Sequence, residues 1–128
     1  MARTYLSGER ESSRSYSRAV ITQGGRTVYL AGVGGTRGPG GEAISGIEEQ
    51  TRAAFERLRA TLAEAGGTLD DITTMTVFVT DVRYGDEVTR VRADYFTAGF
   101  PASALITVAG LARPEMLVEI VGIAVIGD

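Results

Sequence analysis

One carboxylate interrupts the most apolar stretch of the chain. Glu119 sits inside Met116 to Ile126, MLVEIVGIAVI, where the other residues are aliphatic, methionine or glycine. An ionised carboxylate buried there without a partner is costly, so it must be paired, protonated or exposed. Acid/base chemistry is what it could do, because burial raises a carboxyl pKa towards the range useful for proton transfer. A tie to an arginine or to backbone amides across a subunit boundary is the competing structural role. Few other groups could share the chemistry. Histidine and cysteine are absent, and all thirteen basic residues are arginine. Thiolate nucleophiles, cysteine-ligated metals and lysine Schiff bases, including those of pyridoxal phosphate, are therefore excluded. A general acid or base must be Asp, Glu, Tyr or an ordered water, and the composition calls for no cofactor and no metal.

The elements that must position Glu119 are legible in outline. Residues 1–15 are polar and are expected to be mobile, or ordered only against a neighbour. Tyr16 to Thr22 and Arg26 to Val33 read as strands, and Gln23-Gly24-Gly25 between them as a hairpin turn. The loop Gly34 to Gly41, GGTRGPGG, suggests a phosphate cradle only at first sight. No lysine follows it and its glycines do not fall as G-x-G-x-x-G, so it reads as an adaptable connection. Ile47 to Ala65 has apolar residues at three- and four-residue steps and is expected to be helical. Ser45 with Glu48 would form a capping box at its start, and Gly66-Gly67 would stop it.

Ile72 to Thr80 alternates as a strand, and Glu87 to Phe96 reads as a second helix. Ala104 to Val108 and Met116 to Ile126 are the last two strands. The order β-β-α-β-α-β-β predicts a single α+β domain over 1–128, with both helices on one face of a mixed sheet. The strands are apolar on both faces, so the uncovered face predicts a homo-oligomer that buries it between subunits.

Partners are bounded by charge and hydropathy. The net charge is −3 and the arginines are dispersed, which predicts no nucleic-acid partner. No apolar run approaches the ~20 residues of a membrane span, and MARTYLSGERESSRS is too polar for a secretory signal. A soluble cytoplasmic protein is expected, with no membrane partner.

The order of segments carries a resemblance. YSRAV, the Tyr-Leu-Ala-Gly strand, QTRAAFERLRATLAEAGGTLDDITTMTVFVTD, VRADYF, FPAS and LVEIVGIAV together resemble the RidA/YjgF family from about Tyr16 to Ile126. The resemblance implies a chorismate-mutase-like fold and a homotrimer with a central β-barrel and ligand clefts between subunits. It also implies hydrolysis of small enamines or imines to a ketone or keto acid plus ammonia. Carried over by position, Glu119 takes the catalytic glutamate's place and Tyr16 the tyrosine's. Gly32 matches the family glycine, with Ala31 where the deaminases have serine. Thr89 replaces an asparagine, Leu105 stands where cysteine is common, and Ser103 replaces the arginine that holds the substrate carboxylate. The anchor is thus altered here, and since a charge-assisted hydrogen bond contributes about 1.5–3 kcal/mol, its loss should weaken carboxylate binding tenfold or more.

Arg18, Arg92 and Arg113 are the candidate replacements, and Arg92 is preferred because its helix borders the cleft in this family. The expected enzyme is a RidA-like imine hydrolase. A non-catalytic small-molecule binder, or a diverged biosynthetic tailoring enzyme using the same cleft, is the alternative.

Overall fold

The computed structural model describes residues 1–127. Its strands and helices in chain order are β1 Ala2–Leu6, α1 Glu9–Ser12, β2 Ala19–Gln23, β3 Arg26–Val33, α2 Ile47–Glu64, β4 Ile72–Val79, α3 Gly85–Ala93, β5 Ala102–Thr107 and β6 Val118–Ile126. Short 3₁₀ turns precede β4 and α3. This is the expected mixed α+β arrangement, preceded by an additional strand and short helix.

The main sheet has the order β3-β6-β4-β5. Strand β6 lies inside it, antiparallel to both β3 and β4, so its ladder groups are satisfied on both edges. Strand β5 runs parallel to β4, which α3 makes possible as the crossover between them. The apolar faces of α2 and α3 cover one side of this sheet. Ala54, Phe55, Leu58 and Leu62 of α2, with Val88 and Val91 of α3, pack on Met75, Val77, Val79, Val118 and Ile120. Phe55 stacks on Tyr95 with ring centroids 4.8 Å apart, tying α2 to the segment that follows α3.

Side chains alternate across a strand, so the residues between these core positions face the other side. There Tyr29 is 78% exposed and Val121 36%. No helix of the described residues covers that surface, and no helix among them is long and apolar enough to cross a membrane.

Several local expectations are corrected. Residues 1–15 are not a loose segment. Strand β1 pairs antiparallel with β2, and Arg3 donates to the carbonyls of Asp70, Asp71 and Val125. Gly24 and Gly25 do adopt the positive φ of a tight turn, at 79° and 83°. The strands they join nevertheless diverge, β2 to β1 and β3 to β6, so no hairpin forms. The strand expected from Tyr16 is β2 and begins only at Ala19, leaving Tyr16 in the segment before it. Ser45 does not cap α2; Gly46, at φ 96°, is the N-cap and makes no side-chain bond. The capping box lies instead at Thr68 and Asp71.

Candidate functional site

The sheet register sorts the candidate residues into two groups. In the parallel β4–β5 pair, Met75 stands opposite Ser103 and Val77 opposite Leu105. Paired residues share a face, so Ser103 and Leu105 lie on the helix side at the sheet's edge. In the antiparallel β4–β6 pair, Phe78 stands opposite Glu119. Phe78 alternates with Val77, which places Glu119 on the open side.

The first group closes around a cavity of about 230 Å³ lined by Arg14, Tyr16, Thr89, Arg92, Ser103 and Leu105. Five of these are the residues expected from sequence, delivered by three elements. Thr89 and Arg92 project from one side of α3, three residues apart. Ser103 and Leu105 come from β5. Tyr16 arrives from the segment before β2, which is held because Ser17 N donates to Pro101 O at 2.9 Å and Tyr16 N donates to Glu11 O at 3.2 Å.

Arg92 is the polar centre of the cavity. It is only 4% exposed. Its Nη1 donates to Ser103 Oγ at 2.6 Å, Nε to Ser15 Oγ at 3.2 Å and Nη2 to the carbonyl of Arg14 at 3.1 Å. All three acceptors are neutral, and among the described residues no carboxylate pairs with it. Burial, reinforced by the Arg14 charge, pushes its pKa down to about 10.

The other candidate cations lie elsewhere. Arg18 is paired with Glu11. Arg113 lines a separate loop cavity with Pro114 and Met116.

The second group sits on the open side. Ala31 and Gly32 lie at an irregularity of β3 between Leu30 and Val33, beside β6. Glu119 is half-buried next to them, and among the described residues its carboxylate makes no hydrogen bond and no ion pair. Within one subunit the two groups occupy opposite faces of the sheet.

Two contributors escaped the sequence reading. Ser15 is buried, has φ 55° and donates from Oγ to Thr89 O at 2.7 Å while accepting from Arg92. Only its place in ESSRSYS marks it, and that string reads as a polar tail. Arg14 pairs with the exposed Asp86 at 2.8 Å at the cavity mouth.

The comparisons agree with this fold. The model of the family described as endoribonuclease L-PSP matches residues 8–126. The Rid-family protein YyfB of Yersinia pestis, of unknown function, is 28% identical over 98% of this chain and 100% of its own, with a TM-score of 0.83. Rv2704 of Mycobacterium tuberculosis, a member of the YjgF/YER057c/UK114 family, is 35% identical over 98% of this chain and 100% of its own, with a TM-score of 0.71. RidA of an Antarctic Psychrobacter is 31% identical over 88% of this chain and 89% of its own, with a TM-score of 0.74. A family model that spans nearly the whole chain, and Rid relatives that superpose along its length, place one conclusion beyond the fold: the chain belongs to the endoribonuclease L-PSP family, the RidA/YjgF proteins.

Proposed function

We propose that this protein is a homotrimeric, cytoplasmic, RidA-like hydrolase that converts a small enamine or imine to a ketone or keto acid plus ammonia. The observation that carries the reading is the division of the candidate site. Tyr16, Thr89, Ser103 and Leu105 line a cavity on one side of the sheet, while Glu119, on the other, has no partner among the described residues. A second copy that laid the open side of its own sheet against the cavity-bearing β5 edge of the first would bring its Glu119 to the first copy's cavity. It would also bury the exposed Tyr29 and Val121.

In such a cleft the polar cavity takes the acid end of the substrate and leaves the C=N carbon towards the partner's Glu119. An enamine first takes a proton at its terminal carbon and gives one up from nitrogen to become the imine. Water then adds to the C=N carbon while a proton passes to nitrogen, giving a carbinolamine. Its hydroxyl proton is then removed as the C–N bond breaks, and the nitrogen leaves as ammonia. Glu119 is the only side chain in the second group able to take and return these protons.

Nuclease chemistry, which the family description names, gains no support here. The chain has no histidine and no lysine, and its net charge is −3.

The test is ammonia release from enzymatically generated 2-aminoacrylate, measured against buffer alone. The native protein should accelerate it, and Glu119→Gln should abolish the acceleration while sedimenting like the native oligomer. A native protein that matches buffer would end the hydrolase reading. It would leave a binding protein, the role favoured by the absence of an arginine at Ser103.

A further inference from the structure

We propose that Arg92 is the anion clamp of this cleft, displaced from strand to helix, and that Ser103 and Ser15 are its positioning residues. The ligand class is a small carboxylate of the 2-oxo or 2-imino acid type. The inference rests on reading the cavity as the substrate half of the site, and its test separates the two.

The argument begins with donor accounting. A guanidinium carries five N–H bonds. Three are used, one each from Nε, Nη1 and Nη2, by Ser15, Ser103 and the Arg14 carbonyl. Among the described residues one N–H therefore remains on each terminal nitrogen, two donors that the two oxygens of a carboxylate could take.

Charge accounting points the same way. A buried cation needs a counter-charge, and the acceptors around Arg92 supply none. Its neighbours in the cavity are Arg14, Tyr16 and Thr89, and Arg14 adds a second positive charge. The carboxylate nearest in the network, Asp86, is spent on Arg14 and stays 90% exposed. The cavity is short of one negative charge, and a substrate carboxylate would supply it.

The surroundings hold the fork still. Ser15 is a non-glycine residue in the left-handed region, a conformation that persists only where neighbours enforce it. Its hydroxyl proton goes to Thr89 O, so a lone pair is left facing Arg92 Nε. Ser103 accepts from Nη1, and an arginine in its place would put a second guanidinium against the first. The serine at the strand position and the arginine on the helix are thus two halves of one change. Tyr16 and Leu105 flank the remaining space, which suits a short substrate body.

The test titrates pyruvate into the native oligomer and into Arg92→Gln, Arg92→Lys and the exchange variant Arg92→Ser/Ser103→Arg, by calorimetry, with sedimentation as the check on assembly. Arg92→Gln should weaken binding about tenfold or more, because it takes the charge out of the two-pronged bond. Arg92→Lys should recover part of it. The exchange variant should recover most, because the charge returns to the same cavity from the strand.

Binding by Arg92→Gln equal to native would overturn the clamp. So would a native protein that ignores pyruvate at millimolar concentration, or an assembled exchange variant that binds no better than Arg92→Gln. Arg92-dependent binding without ammonia release keeps the clamp and ends the hydrolase. Unchanged binding and hydrolysis in Arg92→Gln does the reverse.

Discussion

Gly32 and Glu119 face one another so closely that a Cβ added to Gly32 would stand 2.5 Å from Glu119 Oε2. The intruded atom is the end of a flexible side chain, so the carboxylate can swing aside without rebuilding the sheet. Gly32→Ala should therefore keep the fold and displace the acid. Displacement of about 1 Å at a reacting group costs roughly a hundredfold in rate. The expected outcome is a fall in kcat of that order with an unchanged melting temperature. A variant as active as the native protein would show that Glu119 is not held for chemistry.

The pH dependence of ligand binding follows from Arg92. Its charged form is disfavoured by burial, and its pKa is lowered to about 10. The sign is that of a depressed cation. The folded state bears the full cost of the charge below about pH 10 and is relieved of it as pH rises from there towards the ordinary guanidinium value. Carboxylate binding needs the charged form and runs the other way. Pyruvate affinity should be flat from about pH 7 to 9 and fall about tenfold per unit well above pH 10. Measuring the dissociation constant across that range decides it, and an affinity that declines near neutrality would assign binding to another group.

Much of the framework was legible because its signals are local. Helix α2 spans Ile47–Glu64 against an expected Ile47 to Ala65, since eighteen residues of regular apolar spacing leave little freedom. Strand β4 is as clear, its buried Ile72, Met75, Val77 and Val79 marking one face. The failures are all choices of partner. Gly24 and Gly25 fix the conformation of a turn, but which strand β2 joins depends on β1, whose ARTYL shows only a polar alternation. Ser45 offered a cap, yet the chain enters α2 through a left-handed Gly46 that excludes it. Cavity membership of Thr89 and Ser103 came from resemblance, and their link through Ser15 and Arg92 is a tertiary fact that no spacing rule encodes.

The open side of the sheet makes a prediction about assembly. Val121 stands opposite Thr76 on that face, and Tyr29 stands opposite Ile123. Because Val121 is 36% exposed in one subunit, Val121→Asp disturbs little inside the fold. Across a symmetric interface it would bury a like charge from every copy, at a cost of several kcal/mol per assembly. The native protein should sediment as a trimer and Val121→Asp as a folded monomer without hydrolase activity. A native monomer, or a variant that stays trimeric, would remove the two-subunit site.

A last prediction concerns the approach to Glu119 rather than Glu119 itself. Gln50 is 1% exposed in the middle of the first turns of α2. Its Nε2 donates to Ile44 O at 3.1 Å and Glu115 O at 2.9 Å, and its Oε1 accepts from Leu117 N at 2.9 Å. One amide thus ties the glycine-rich connection and the loop before β6 to the same helix. Gln50→Leu preserves much of the volume but strips partners from backbone groups in a buried setting, each worth about 1–3 kcal/mol when left unsatisfied. These losses overlap, so a total near 3 kcal/mol is expected. Urea unfolding of the assembled protein should show a lower midpoint with an unchanged slope. Hydrogen exchange should quicken at residues 115–118, the segment directly before the acid. A loss below about 1 kcal/mol would mean that water replaces the amide, and that the entry to β6 is fixed by the strand ladder alone.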